Sequence, residues 1–209
     1  MDGLLIDSEP LWKEAADALF LTYGKQLTTQ QYAITTGLRT KEFLEYWLTQ
    51  FNLPADEFAG AEKKIVSDVI TLVKQKGKAM PGAGYIINFF SERNFKIGLA
   101  TSSAPGLIEV VIDILGIGKQ LQAISSADDL AYGKPHPEVY LNCAKKLAAL
   151  PAQCLCFEDS FNGMIAAKAA KMKCIIVPSL YDAKKPVWEA ADLKISTLSN
   201  FNELLLNGL

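Results

Sequence analysis

Four short polar groups carry the residue types that could do chemistry: Asp2-Gly3, Thr101-Ser102-Ser103, Gly133-Lys134-Pro135-His136-Pro137 and Glu158-Asp159-Ser160. Adjacent carboxylates such as Glu158 and Asp159 repel each other unless a cation is shared, and hard carboxylate oxygens suit Mg²⁺. A cation of that kind, an ammonium and a hydroxyl are what a phosphoryl group needs, because its transfer depends mainly on positioning and charge neutralisation. Free backbone N–H groups at a following helix start would complete an anion cradle. Taken singly, each group also has a plain structural reading. Glu-Asp can be a solvated turn, Thr-Ser-Ser a helix cap, and Gly-Lys-Pro a surface turn. The joint order, with three of the groups tied to apolar strand-like runs, favours the chemical reading.

The elements that must position these groups fall into two regimes. From Glu9 to Gly77 the sequence reads as helix after helix. Ser8 is a candidate N-cap with Pro10 in the first turn, and Leu11, Ala15, Ala18, Leu19 and Tyr23 recur at helical spacing. Thr40 to Phe51 and Asp56 to Lys76 repeat that pattern. After Met80-Pro81-Gly82, helices alternate with short apolar strands. Strands are expected at Phe95–Thr101, Ala123–Ser125, Cys154–Phe157, Cys174–Val177 and Leu193–Ile195. Helices are expected up to Asn94 and over Pro105–Leu115, Pro137–Leu147 and Asn162–Lys171. This alternation predicts an α/β fold, a doubly wound parallel sheet, with an all-helical insertion near the start. Ligands of such sheets bind at the carboxyl ends of the strands, where Thr101, Glu158 and Asp159 are expected.

The chain has 209 residues, which suits one core with a smaller insertion. Half of the residues are hydrophobic and 21% are charged, a globular composition that excludes disordered and collagen-like classes. Lys plus Arg number 21 against 23 Asp plus Glu, a net charge of −2. No basic surplus is available to drive nucleic-acid or anionic-membrane binding. No apolar run approaches a membrane span, and Met1–Asp7 lacks the basic lead of a signal peptide. The cysteines (143, 154, 156 and 174) lie in apolar or amphipathic runs and are expected reduced and buried, with a cytoplasmic address. With His136 as the sole histidine, zinc is disfavoured, and its two flanking prolines point to a helix-capping role. The chain is read as a monomer.

These groups resemble the four motifs of the haloacid dehalogenase superfamily. They are Met1-Asp2-Gly3-Leu4-Leu5-Ile6-Asp7-Ser8-Glu9-Pro10, Leu99-Ala100-Thr101-Ser102-Ser103, Lys134-Pro135-His136-Pro137 and Phe157-Glu158-Asp159-Ser160-Phe161-Asn162-Gly163. The resemblance covers nearly the whole chain. It is closest to the β-phosphoglucomutase-like branch, especially the sugar-phosphate phosphatases that act on hexose 6-phosphates such as 2-deoxyglucose 6-phosphate, and the hexitol phosphatases. It implies a Mg²⁺-dependent phosphatase of small phosphorylated sugars or polyols, working through an aspartyl-phosphate, with a small phosphorylated metabolite as partner. The core would comprise residues 1–8 and 79–209, and a helical cap residues 9–78. Asp2 would be the general acid/base, its carbonyl binding Mg²⁺. Thr101 would bind phosphate, and Lys134 would hold nucleophile and phosphate. Asp159 would be the main acidic Mg²⁺ ligand, with Glu158 a second, direct or through water. Ser102 and Ser103 would line the phosphate. Gly37-Leu38-Arg39 would match the cap loop that dips toward substrate, with Gly37 and Arg39 as substrate-binding candidates.

In that family the first motif is Asp-x-Asp-Gly, and Asp2 matches its second acid. The nucleophilic first acid would stand immediately before Met1, at the end of an apolar strand in mid-sheet. Either Met1 is the middle residue of that motif in a longer chain, or the protein binds phosphate without turnover. The 209 residues alone are expected to be impaired. A phosphoglucomutase-type transfer and a non-catalytic phosphate- or metal-binding role remain alternatives. A signalling receiver domain shares the acid, hydroxyl and lysine set, but the helical insertion argues against it.

Overall fold

The computed structural model describes residues 1–209. Four helices fill the first stretch: α1 (Glu9–Leu21), α2 (Thr29–Ile34), α3 (Thr40–Gln50) and α4 (Phe58–Lys76), the last preceded by a 3₁₀ turn at Ala55–Glu57. Helix α2 was not singled out from sequence. It is held by a capping box between Thr28 and Gln31 and buries no residue, so it carries no apolar face for periodicity to reveal.

The remainder alternates. Helix α5 (Ala83–Ser91) leads to β1 (Ile97–Thr101), then α6 (Pro105–Leu115), β2 (Leu121–Ser126), α7 (Glu138–Lys146), β3 (Leu155–Glu158), α8 (Phe161–Ala169), β4 (Lys173–Ile176), β5 (Leu193–Lys194) and α9 (Glu203–Asn207). Helix α6 has the bounds its sequence dictates, with Pro105 in its first turn and Gly116 in the left-handed conformation behind it. Every strand pairing is parallel: β1 with β2, and β3 with β4 with β5. The five strands form two sheets, and no ladder joins β1 to β3.

Two strand boundaries differ from expectation in ways that bear on the site. Phe95 lies outside β1; its ring packs on Phe90 at 5.2 Å, and the ladder begins at Ile97. Strand β3 runs one residue further than expected, so Glu158 is its last residue. The Glu158 carbonyl accepts the Val177 N–H at 2.7 Å, and its buried charge is matched by Lys134.

One apolar cluster runs from the helical unit (Leu19, Phe20, Leu44, Trp47, Ile65, Val69) through α5 and α6 to Ile175 on β4. The helices therefore share an interior with the α/β part. A second cluster joins α7, α8 and β4 around Met164 and Trp188. All four cysteines are free; Cys143 and Cys174 are buried, while Cys154 and Cys156 are half-buried. Burial pushes the Cys143 thiol up to about 11 and Cys174 up to about 12, so both stay protonated and inert near neutrality. No helix is long and apolar enough to cross a membrane.

Candidate active site

The carboxyl ends of β1 and β3 open onto one cavity, which the helical unit roofs. Its lining includes Asp2, Thr101, Ser102, Ser103, Lys134, Glu158, Asp159 and Ser160 from below, and Trp12, Tyr32, Thr36, Gly37 and Phe43 from above. The sequence-predicted residues other than Arg39 are thus brought together.

Asp2 is the most tightly held. Its Oδ1 accepts the Ser8 hydroxyl at 2.7 Å and the Trp12 indole N–H at 3.1 Å; its Oδ2 accepts the Ser103 hydroxyl at 2.6 Å. Ser8 does stand at the N-cap of α1, but its side chain makes no capping bond, because its hydroxyl is turned to Asp2. Thr101, at the end of β1, donates to the Ser103 hydroxyl at 3.1 Å and accepts the Ser103 N–H at 3.2 Å. This ties the phosphate-binding candidate to the same network.

Lys134 and Glu158 form a buried pair, Nζ to Oε1 2.5 Å, each about 6% exposed. The Tyr140 hydroxyl donates to the same Oε1, and the Tyr140 ring lies under the ammonium, 5.0 Å from Nζ to centroid. The other oxygen, Oε2, accepts from Ser160 Oγ and from the Asp159 N–H, both at 3.3 Å. Burial pushes the Glu158 pKa up, but the Lys134 charge and these hydrogen bonds bring it below its usual value. Glu158, expected as a second Mg²⁺ ligand, direct or through water, is here engaged by protein donors. Four donors meet the roughly four acceptor sites of a carboxylate, and the side chain acts as the partner of Lys134.

Asp159 is the opposite case. Its side chain makes no hydrogen bond in the structure, and its pKa is raised to about 7 by burial, then by the Glu158 charge, with Asp2 adding to it. The carboxylate lies directly against Gly3. A Cβ there would fall 2.2 Å from Asp159 Oδ2, and Gly3 has φ +66°, so glycine is required on both counts. The neighbouring Asp2 carbonyl also accepts no hydrogen bond. An unneutralised carboxylate beside a free carbonyl is a donor pair that fits Mg²⁺, which takes one or two carboxylates and completes its shell with water and substrate oxygens. No group of three His, Cys, Asp or Glu side chains forms a closed cage. Glu9, which sequence reading passed over, also lines the cavity. Burial, then Asp159 and Asp2, push its pKa up to about 8.

Arg39 does not reach the cavity; it is a correction to the expected substrate contact. It is buried, its Nη1 donating to the carbonyls of Leu130 at 2.6 Å and Ala127 at 3.3 Å, and its Nη2 to Glu42 at 2.6 Å. Those carbonyls belong to the loop that delivers Lys134, so the guanidinium clasps the helical unit to the core. Lys41 joins it by donating to the Asp128 carbonyl at 2.9 Å. Gly37 does line the cavity, its carbonyl accepting the Ser102 hydroxyl at 3.1 Å. His136 points away; its Nδ1 accepts the Glu138 N–H at 3.4 Å, at the start of α7. Tyr140 was missed as well. The available signal was a tyrosine on an apolar helix face, whose hydroxyl needs a buried partner.

Comparisons with known proteins bear on the family and the fold. The sequence profile described as haloacid dehalogenase-like hydrolase matches residues 1–177. Hexitol phosphatase B of Escherichia coli (strain K12) is 35% identical over 200 residues, covering 95% of this chain and 90% of that protein. The phosphorylated carbohydrates phosphatase of Thermotoga maritima is 30% identical over 186 residues, covering 88% and 86%. In fold, CbbY from Rhodobacter sphaeroides, solved in complex with phosphate, superposes with a TM-score of 0.86 at 22% identity, over 96% of this chain and 92% of that one.

Proposed function

Because this chain belongs to the haloacid dehalogenase-like hydrolase family, we propose that it is a Mg²⁺-dependent phosphatase of phosphorylated sugars or polyols, of the hexose- or hexitol-phosphate type. The observation that carries the reading is the convergence of Asp2, Thr101, Lys134 and Asp159 on one roofed cavity. Phosphatase relatives that span most of the chain support the sugar-phosphate class.

Thr101 and Lys134 bind the phosphoryl oxygens by hydroxyl and ammonium. Mg²⁺, when bound by Asp159 and the Asp2 carbonyl, supplies further neutralisation of phosphoryl charge. A carboxylate oxygen attacks phosphorus, and the P–O bond to the sugar breaks. Asp2, entering the step in its protonated form, gives the leaving alkoxide its proton, and its contacts with Ser8, Trp12 and Ser103 hold its orientation. Water then attacks the acyl phosphate while Asp2 takes a proton from it, releasing phosphate and restoring the carboxylate. The helices over residues 9–78 serve as the cap, excluding water and selecting substrate with the surface of Trp12, Tyr32 and Phe43.

The nucleophile in this scheme is an aspartate two positions before Asp2, which the 209 residues do not contain. Its strand would end between the carboxyl ends of β1 and β3, the two strands that share no ladder. The 209-residue polypeptide alone is accordingly expected to hydrolyse esters poorly. The test is a panel of phosphate esters with Mg²⁺ and with chelator, run on this polypeptide and on one preceded by an apolar strand ending in Asp. Phosphate release from hexose or hexitol phosphates by the extended form supports the reading. Transfer between hexose positions would replace it with a mutase, and tight phosphate binding without turnover in the extended form would replace it with a binding protein.

A further inference from the structure

The Lys134–Glu158 pair raises a difficulty that the phosphatase reading leaves open. A lysine that must hold phosphate is already bound, at 2.5 Å, to a buried carboxylate. If Lys134 were the sole donor to Glu158 Oε1, turning to phosphate would leave a buried anion short of a donor, which is costly. The two donors on Oε2 do not relieve this, since both are at 3.3 Å and serve the other oxygen.

Tyr140 sits where it can resolve the conflict. It is 5% exposed, on α7, six positions after Lys134, and it does not line the cavity. Its hydroxyl donates to the very oxygen that Lys134 uses, and its ring lies beneath the ammonium. One side chain thus gives Glu158 Oε1 a second donor and gives Lys134 a second electrostatic surface.

We propose that Tyr140 is a positioning residue that frees Lys134 for phosphate: its hydroxyl keeps Glu158 Oε1 compensated while the ammonium turns from the carboxylate to a phosphoryl oxygen. The inference rests on the phosphatase reading for the role of Lys134. Without the hydroxyl, Glu158 pulls harder on the lysine, and phosphate must compete with a stronger partner.

The test is binding of inorganic phosphate, with Mg²⁺ present, measured by titration calorimetry on the full chain and on Tyr140→Phe. Phenylalanine keeps the ring volume, so the α7 face still packs. The expected result is about ten-fold weaker phosphate binding, the size of one hydrogen bond to a charged group. In a Glu158→Gln background, where no carboxylate competes for the ammonium, the same Phe substitution should change affinity by less than about two-fold. A merely structural role would weaken binding equally in both backgrounds, and that result overturns the proposal. So does unchanged affinity in the single variant when the unaltered chain binds phosphate. If the unaltered chain binds no phosphate at all, the phosphate-binding role of Lys134 falls and this inference falls with it, whereas the phosphatase reading is judged separately by turnover of the strand-extended form.

Discussion

Three donors converge on the Asp2 carboxylate, and they come from three places in the chain: Ser8 before α1, Trp12 within α1, and Ser103 after β1. A carboxyl group that must deliver and retrieve a proton gains from being held, since misplacement by a fraction of an ångström lowers the rate. Ser103→Ala, measured in the strand-extended polypeptide, should therefore lower kcat by about ten-fold with a smaller change in KM. Asp159 gives a prediction of opposite sign for stability. Its pKa is raised from 3.8 to about 7, by burial and then by the Glu158 charge. A raised acid contributes most below its unfolded value and loses that contribution as pH rises through about 7. With chelator present, Asp159→Asn should melt near the unaltered chain at pH 5 and above it, by about 3 °C or more, at pH 8. Saturating Mg²⁺ should narrow that gap. A lower melting temperature for the Asn variant at pH 8 would contradict the assignment of Asp159 as the unneutralised carboxylate.

At the scale of elements, what was legible in the sequence divides by whether a residue's partner is local. Pro105 and Gly116 bound α6 because each acts through its own backbone, and the alternation after Pro81 marks the parallel strands. The polar groups at the ends of β1 and β3 were readable from the apolar strand runs they follow, although their partners are distant: Lys134 and Tyr140 for Glu158, and Asp2 for Ser103. Ser8 was not, since its capping role and its bond to Asp2 are equally compatible with the spacing. Arg39 was misjudged because its partners, the Ala127 and Leu130 carbonyls, lie some ninety residues away in a loop without a sequence signature. That clasp carries its own prediction. A Cβ on Gly133 would lie 2.6 Å from Arg39 Nε and 2.5 Å from Glu42 Oε2, so the loop can approach the helical unit only with glycine there. Gly133→Ala and Arg39→Ala should both speed amide exchange in residues 127–133 and raise KM by about three-fold to ten-fold, through loss of buried hydrogen bonds. Unchanged exchange in that loop would show that the clasp does not hold the two parts together.

At the scale of the whole molecule, a continuous apolar cluster binds the helical unit to the α/β part, while the parallel sheet is in two pieces. Phe90 of α5, Phe157 of β3 and Phe201 pack together with ring centroids 5.2–5.8 Å apart, so side chains rather than a ladder cohere this region. The site's acid/base, phosphate-binding and metal-binding candidates are all in place around the ends of β1 and β3. What the account requires in addition is one aspartate delivered between them. The most direct measurement is the rate of phosphate release from a hexitol or hexose phosphate, with Mg²⁺, by the 209-residue polypeptide and by the same polypeptide preceded by an apolar strand ending in Asp. The account predicts turnover by the extended form that is abolished by chelator, and a rate at least about a hundred-fold lower without the added aspartate. Equal rates from the two forms, or none from the extended form, would contradict it.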